Sequence, residues 1–397
     1  MDLSLGLSGV LGIRYCGFVS YVSEEVLLQP EKAASRVRFR AILWPLVIWE
    51  GLKRGWRPRS RSESPQRILV IAYLLLGDVI MLSGLLKALR QRYPYAAINI
   101  AVPPAVLPLF SERPWQVDAV AISPRHPATL SALCRFAPPD LAVIAGDNRY
   151  AWIARALGAG WIVGHRDPPG HFHALALDEA IPYPEVACAQ TDLLAALAGS
   201  GEFDPYAVGE WPSPACPPFE KPDSPFVVLH VGASRALKRW PARHWRTLAE
   251  LLRGRGYSVV WSCGPGEQAL LDEIGSTGVR YAGNLALTQL WHLLACAQAI
   301  VCPDTGVAHM GRLLGRPTCV LVGPADVRLV GNGRFWSDMP CLWLNISVPC
   351  RDQPRVFDRP LLWSASCRRP DSGCHDHRCL QDLSVEQVLR AFSSLTP

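Results

Sequence analysis

The chain has 397 residues, 49% of them hydrophobic, and a formal net charge of +6. Because a single core stops growing at about 250–300 residues, this length predicts two domains, and the apolar fraction lets both bury a core. The positive charge is local: residues 31–67 carry ten Lys/Arg against three Glu, which leaves the remainder close to neutral. We expect no nucleic-acid partner.

The amino-terminal 66 residues are predicted to form an extension separate from the rest. Residues 1–22 are apolar but lack a basic start and a small-residue cleavage site, and the thirteen cysteines of the chain come without a secretory signal. We therefore expect a reducing, cytoplasmic compartment. The apolar run at residues 41–49 is far shorter than the about 20 residues that span a membrane.

Two structures fit the basic part of this extension. Arginine and lysine residues flank the apolar run, and Trp44, Trp49 and Trp56 are interleaved with them. Such a segment either lies on an anionic membrane surface, peripheral to the inner membrane, or forms a helix docked on the body and followed by a disordered linker at residues 57–66. The sequence leaves both open.

From residue 67 short apolar runs alternate with amphipathic segments. Strands are predicted at residues 68–72, 98–102, 119–122, 141–145 and 161–163, and helices at 79–92 and 152–157. This alternation is typical of a parallel sheet covered on both faces, so residues 67–198 are predicted to form a Rossmann-like domain. The G-x-G-x-x-G fingerprint of dinucleotide binding does not follow the first strand.

Residues 199–224 are rich in proline, show little helical or strand period, and are predicted to link two domains. The second domain is predicted over residues 225–397. Its strands are expected at residues 226–230, 258–262, 299–302 and 318–322, and its helices at 244–253, 268–274 and 287–295. Ligands of open α/β sheets bind beyond the carboxyl ends of strands, which here are residues 231–234, 263–267, 303–306 and 323–324.

The stretch from residue 299 to 309 predicts a buried strand, a Pro-Asp-Thr-Gly turn and the start of a helix. Asp304 and Thr305 can cap the first turn, and Gly306 lets a ligand approach the backbone. The free N–H groups and the helix dipole favour an anion such as a diphosphate. His309 lies one turn further and either points at the same ligand or is satisfied inside a helix interface.

Four motifs in chain order carry a family resemblance. They are Gly77-Asp78 after the first strand, residues 229–234 with Lys238-Arg239-Trp240-Pro241 and Trp245, Gly264-Pro265-Gly266-Glu267, and Asp304-Thr305-Gly306 with His309. With this spacing, residues 67 to about 389 resemble glycosyltransferase family 9, the ADP-heptose heptosyltransferases. The resemblance implies the GT-B fold, an α/β architecture in which two Rossmann-like domains face a cleft, with the donor on the second domain and the acceptor on the first.

Transfer from a nucleotide diphosphate sugar needs a base for the acceptor hydroxyl and neutralisation of the departing diphosphate. Asp78, at a strand-to-helix turn, is the predicted base; the alternative is an N-cap for a helix at Val79. Lys238 is predicted to pair with the diphosphate, although a loop lysine is often only solvated. Backbone N–H groups at Thr305 and Gly306 are expected to share the developing charge.

The remaining predicted contacts are to the donor. Glu267 resembles the ribose-binding carboxylate of the family, with helix capping as the alternative. The full set of expected donor-binding residues is Gly232, Ala233, Ser234, Glu267, Asp304, Thr305, Gly306 and His309. No cofactor or divalent metal is required if Lys238 and the helix terminus hold the diphosphate.

A cysteine cluster lies near the carboxyl terminus, at Cys350, Cys367, Cys374 and Cys379. Its spacings match no common zinc pattern. Related enzymes often keep a cysteine cluster ahead of a similar ending, and the autotransporter heptosyltransferases hold iron in a cysteine finger here. Two interpretations of the cluster stay open: a structural zinc or iron site, or unligated reduced thiols.

The resemblance implies an inverting transferase that moves heptose from ADP-heptose to a lipid-linked core oligosaccharide, the inner core of lipopolysaccharide, at the cytoplasmic membrane face. One alternative keeps the reaction and makes the acceptor an autotransporter protein. The other is a GT-B nucleotide-sugar epimerase or a non-catalytic sugar-nucleotide binder; an epimerase would act without an acceptor.

Overall fold

The computed structural model describes residues 34–55, 59–199, 203–222, 225–357, 359–374 and 377–396. They contain two six-stranded sheets, each with parallel neighbours throughout. None of the helices in these ranges is both long and apolar enough to cross a bilayer.

The first sheet has the strand order β3-β2-β1-β4-β5-β6. Its strands are β1 (Arg67–Ile71), β2 (Ala97–Val102), β3 (Val117–Ala121), β4 (Leu141–Ile144), β5 (Trp161–His165) and β6 (Glu179–Ile181). All four residues of β4 and four of the five in β1 are buried, as expected for strands covered by helices on both faces. The sequence predicted these strands except β6, whose three half-buried residues give no apolar run.

Short helices surround this sheet. The α-helices are α1 (Ala34–Arg54), α2 (Leu76–Met81), α3 (Ser83–Arg92), α4 (Pro127–Leu133), α5 (Ala151–Ala156) and α6 (Gln190–Ala195), and the 3₁₀ helices are Pro104–Phe110, Pro114–Gln116, Asn148–Tyr150, Phe172–Ala176 and Ala196–Ala198. The single helix predicted over residues 79–92 is two helices that meet at Leu82, and the first begins three residues earlier than predicted.

The second sheet has the order β12-β11-β10-β7-β8-β9, which repeats the connectivity of the first. Its strands are β7 (Phe226–His230), β8 (Ser258–Cys263), β9 (Arg280–Ala282), β10 (Ala299–Pro303), β11 (Thr318–Leu321) and β12 (Cys341–Leu344). The sequence missed the outer strands β9 and β12. In both sheets the strand order reverses between the first and the fourth strand, β1 and β4 in one sheet and β7 and β10 in the other. Such a switch point creates a crevice at the carboxyl ends of the two strands, where ligands bind.

Helices of the second unit pack on both faces of its sheet. They are α7 (Ala242–Gly254), α8 (Gln268–Ile274), α9 (Leu287–Cys296), α10 (Gly306–Leu313), α11 (Val327–Val330), α12 (Arg378–Gln381) and α13 (Val385–Leu395), with 3₁₀ turns at Ala236–Lys238 and Asp371–Gly373. The last helix, α13, buries Val385, Val388 and Phe392 in the core that α7 shares with the sheet.

Helix α1 docks on the first sheet's outer helices. Phe39 and Leu43 are buried in the cluster that contains Ile153 and Leu130 of α5 and α4. The docked helix, one of the two structures expected for this segment, is therefore observed for residues 34–54. Residues 1–33 and 56–58, including most of the extension and part of the predicted linker, lie outside the described ranges.

The predicted interdomain linker is packed along its described part, residues 203–222. The indole of Trp211 is buried and donates to the carbonyl of Leu109 at 2.9 Å. The Lys87 ammonium donates to the Glu210 carboxylate at 2.7 Å, and the amide of Tyr206 donates to the carbonyl of Phe335. The linker thus contacts both units.

A small antiparallel hairpin, β13 (Arg355–Val356) and β14 (Arg359–Pro360), follows the last strand of the second sheet and contacts the first unit. Arg359 donates to the Asp167 carboxylate at 2.8 Å and to the carbonyl of Gly146 at 2.7 Å, and both side chains of the ion pair are more than 90% buried. This pair connects the two units across the cleft.

Candidate active site

The two crevices face each other, and the starts of α2 and α10 are in contact. A side-chain carbon at Gly77 would come within 2.8 Å of the His309 ring, and one at Gly306 within 2.5 Å of Leu76. Each helix therefore has a glycine in its first turn that permits the close approach of the other unit. The loops after β1 and β10, which the sequence placed on different domains, form the two walls of one site.

Asp78 is the third residue of α2, in its first turn. The helix begins at Leu76, so the alternative role of Asp78 as an N-cap is wrong. Its Oδ1 accepts a hydrogen bond from Gln190 Nε2 at 2.9 Å. Burial raises the pKa of Asp78, and the charge of Asp304 raises it further, whereas Gln190 and the charge of Lys238 lower it.

Lys238 reaches the carboxyl end of β10. Its ammonium donates to Asp304 Oδ2 at 2.9 Å and to the Asp304 carbonyl at 2.8 Å. The Lys238 side chain is 24% exposed, whereas that of Asp304 is only 5% exposed. The structure therefore places the lysine at the helix start predicted to bind an anion, where the buried carboxylate of Asp304 already holds it.

The expected capping of α10 by side chains is wrong. Thr305 occupies the N-cap position with extended backbone angles but makes no side-chain hydrogen bond to the helix, and its buried hydroxyl has no partner among the described residues. Asp304 instead pairs with Lys238. The first turn of α10 consequently keeps its free N–H groups for a ligand.

His309 is buried where α10 meets α2, and it is a neutral donor. Arg312 Nη2 donates to His309 Nδ1 at 2.9 Å, which leaves the ring proton on Nε2. Burial, with the charges of Arg312 and Lys238, lowers the pKa of His309 well below its ordinary value. Nε2 lies 3.9 Å from Asp304 Oδ1. The ring therefore lies hydrogen-bonded in a helix interface, as one of the two interpretations predicted. Its Nε2–H group faces Asp304 at the proposed anion site.

Glu267 connects two of the loops predicted to bind the donor. Its Oε1 accepts from the amide of Ala233 at 2.9 Å and its Oε2 from the amide of Gly264 at 2.8 Å. The carboxylate makes no capping bond to α8, so that alternative is wrong. Gly232 is buried beneath it and Ser234 is exposed. In this arrangement Glu267 shapes the loops, and its outer lone pairs can still accept from a ligand hydroxyl.

Among the described residues, the four cysteines near the carboxyl terminus are not grouped as a set of metal ligands. Cys350 is exposed, Cys374 is partly buried, and Cys367 and Cys379 are buried. Burial is the main cause that raises the pKa of Cys379 to about 11, with smaller contributions from the other three thiols. Among the described residues no three His, Cys, Asp or Glu side chains are grouped to hold a metal ion, so the geometry does not fit the expected zinc or iron site. His375, beside them, is outside those ranges.

The cysteine-rich segment instead supports the donor side of the cleft. Asp371 accepts from the amide of Ala236 at 2.9 Å, in the turn that carries Lys238. Arg351 donates to the carbonyl of Gly323 at 2.6 Å, and the amide of Cys367 donates to the carbonyl of Pro324. These bonds fix the loops at the carboxyl ends of β7 and β11.

Two residues of the site were not found from the sequence. Gln190 lies 112 positions after its partner Asp78, so no local pattern connects them. Arg312 offered a signal, because it is a charged residue within an apolar helical pattern. Its buried guanidinium lies 4.5 Å from the ring centroid of Trp336, and burial lowers its pKa to about 10.

Taken together, the arrangement can accept a proton at Asp78 on one wall and hold a diphosphate at Lys238 and the start of α10 on the other.

Comparison with known proteins agrees with this geometry. The family model "Glycosyltransferase family 9 (heptosyltransferase)" matches residues 144–356, more than half of the chain. Lipopolysaccharide heptosyltransferase 2 of Salmonella typhimurium is 26% identical over 373 residues, which cover 83% of this chain and 98% of that protein. Lipopolysaccharide heptosyltransferase 1 of Pseudomonas aeruginosa is 34% identical over 148 residues, but the match covers only 35% of this chain and 41% of the relative.

A solved structure shares the architecture. The E. coli ADP-heptose lipopolysaccharide heptosyltransferase II superposes with a TM-score of 0.64 at 21% identity, covering 83% of this chain and 98% of the other. The likeness confirms the predicted GT-B fold. From the match of the family model over residues 144–356, the chain belongs to glycosyltransferase family 9, the heptosyltransferases, and is a glycosyltransferase.

Proposed function

We propose that this glycosyltransferase moves heptose, with inversion, from ADP-heptose to the inner core of lipopolysaccharide. The observation that carries the proposal is the placement of Asp78 on one wall of the cleft opposite Lys238 and the α10 terminus on the other. The name of the full-length Salmonella relative supports heptose and the lipopolysaccharide acceptor, and the name of the superposed E. coli enzyme supports ADP-heptose as the donor.

The reaction is a single displacement. The acceptor hydroxyl oxygen attacks the anomeric carbon of heptose while its proton passes to Asp78, and the bond from that carbon to the diphosphate oxygen breaks. ADP leaves with the bonding electrons from the opposite face, so the anomeric configuration inverts. A carboxylate whose pKa is raised by burial is a stronger base than an exposed one, which suits proton abstraction near neutral pH.

The departing diphosphate gains negative charge that the second wall can stabilise. The amides of Thr305 and Gly306 lie at the start of α10, and the Lys238 ammonium lies beside them. The diphosphate competes with Asp304 for that ammonium, while the neutral His309 offers its Nε2–H without adding charge. Fixed donors of this kind supply most of the stabilisation in such transfers.

The test is incubation with a panel of nucleotide sugars, with and without a heptose-free core lipid, followed by mass spectrometry of the lipid. The proposal expects ADP release from ADP-heptose only when the lipid is present, and a heptose added to that lipid. Turnover of the donor alone to an isomer would identify an epimerase, and transfer only to a protein would identify the autotransporter type of acceptor.

We place the reaction at the cytoplasmic face of the inner membrane, with the exposed side of α1 on the lipid. The large apolar residues exposed on this helix are Val37, Ile48, Trp49 and Leu52. Arg38, Arg40 and Lys53 are exposed on the same helix, so the surface combines apolar insertion with positive charge. This combination is typical of helices that lie on anionic bilayers.

Vesicle sedimentation tests this placement. Deleting α1 would uncover the core around Phe39 and Leu43, so the sharper variant is Trp49→Ser combined with Leu52→Ser. It should lose binding to phosphatidylglycerol vesicles, and the wild type should bind less as salt rises. Val186→Ser, at a residue 74% exposed elsewhere, is the control and should bind normally. Equal binding by the α1 variant would contradict the placement.

A further inference from the structure

Asp78 has a polar neighbour that no part of the mechanism above uses. Gln190 is the first residue of α6, is 5% exposed, and points its side chain at the Asp78 carboxylate. An ionised carboxylate only accepts hydrogen bonds, so the amide must present its NH₂ group, and the 2.9 Å distance joins Gln190 Nε2 to Asp78 Oδ1.

The helix that carries Gln190 is anchored on both units. Thr191 Oγ1 accepts from the indole of Trp336 at 2.8 Å, and Asp192 accepts from the amide of Phe335 at 3.0 Å. On the other side Thr191 packs against Gly84 of α3, where a side-chain carbon would meet it at 2.8 Å. Because the two residues after Gln190 are fixed in this way, its amide is held in place before a substrate arrives.

The other groups that act on Asp78 belong to the donor side. Lys238 favours the ionised form and Asp304 opposes it, while Arg368, from the segment after the hairpin, adds a further positive charge. Lys238 is already paired with Asp304, so these two charges partly cancel. Gln190 is the group that touches the carboxylate directly from the acceptor side.

We propose that Gln190 is a positioning residue for the catalytic base: its amide holds Asp78 Oδ1 so that Oδ2 faces the acceptor hydroxyl, and it stabilises the ionised carboxylate. This inference rests on the proposed role of Asp78. A hydrogen bond to the charged form lowers a carboxyl pKa, so the loss of the amide raises the pKa of Asp78 and leaves more of the base protonated at a given pH.

The experiment is the pH profile of kcat with ADP-heptose and core lipid for the wild type and for Gln190→Met, which keeps the length of the side chain but has no N–H. The acid limb of the Gln190→Met profile should move up by about one pH unit. The kcat of the variant should therefore be about tenfold below that of the wild type at the acid end and only a few-fold below it at high pH. Gln190→Glu should move the limb further, because two adjacent carboxyl groups share a proton.

Gln91→Met is the matched control, since it makes the same substitution at an exposed glutamine whose amide donates to Asp204 and does not touch Asp78. It should leave the acid limb and kcat at the wild-type values. An acid limb that stays in place in Gln190→Met and Gln190→Glu, with kcat lowered uniformly, would overturn the inference. Asp78→Asn, measured beside them, separates the two proposals: near-normal turnover in that variant refutes the base itself, whereas an inactive Asp78→Asn with an unmoved limb refutes only the role of Gln190.

Discussion

Leu76 of the first unit lies directly over Gly306 of the second, at the start of the helix proposed to hold the diphosphate. A side-chain carbon at Gly306 would be 2.5 Å from Leu76 Cδ2 and 2.7 Å from its Cγ. The two units can therefore close to this distance only with glycine at that position.

Gly306→Ala should consequently hinder closure. Overpacking of this kind costs about 1–3 kcal/mol, which corresponds to a fall in kcat/KM of roughly five- to 150-fold. Gly254→Ala, in α7, is the control, because no atom of the described residues lies within 4 Å of the added carbon and its rate should not change. Steady-state kinetics of both variants decides the matter, and equal rates would show that the contact is not used in the reaction.

Lys238→Ala should weaken ADP binding as well as slow transfer, because the ammonium touches the diphosphate before and during its departure. The same change leaves Asp304 buried without its partner, which adds to the repulsion of the diphosphate. Isothermal titration with ADP measures the effect, with Lys221→Ala, an exposed lysine of the linker, as the control. Unchanged ADP affinity in Lys238→Ala would show that the diphosphate does not bind at Lys238.

Asp167→Asn should destabilise the protein strongly, because it leaves the Arg359 charge buried. Both side chains are more than 90% buried, and the loss of one partner from such a pair costs about 3–5 kcal/mol. Adding Arg359→Met should recover part of the loss. The exposed pair Arg378–Asp382 provides the control, since Asp382→Asn should cost less than about 1 kcal/mol. Thermal unfolding that ranks the two single variants equally would contradict this reading.

Asp78→Asn should stabilise the fold above about pH 4. The pKa of Asp78 is raised in the folded protein, so the folded state binds more protons than the unfolded state and wild-type stability falls as pH rises between the two pKa values. Each pKa unit between the folded and the unfolded state changes the free energy of unfolding by about 1.4 kcal/mol. Calorimetry should show that the variant is more stable than the wild type at pH 8 but not at pH 3.5. Greater stability of the variant at pH 3.5 alone would contradict the raised pKa of Asp78.

The sequence predicted the central strands of both sheets because buried parallel strands are continuous apolar runs, as in β7 and β10, all of whose residues are buried. It missed the edge strands β6, β9 and β12; β6 and β9 have only three residues each and carry no such run. For the site, the turns around Asp78 and Gly306 were visible as local motifs. The partners were not, because contacts such as Lys238–Asp304 and Gln190–Asp78 join residues 66 and 112 positions apart.

The most direct measurement for the central claim compares ADP binding with acceptor-saturated turnover of ADP-heptose in Asp78→Asn. The substitution keeps the shape of the side chain and removes the base, so ADP affinity should stay at the wild-type value while turnover falls by roughly 10²-fold or more. Turnover close to that of the wild type would show that Asp78 does not accept the proton and would contradict the mechanism.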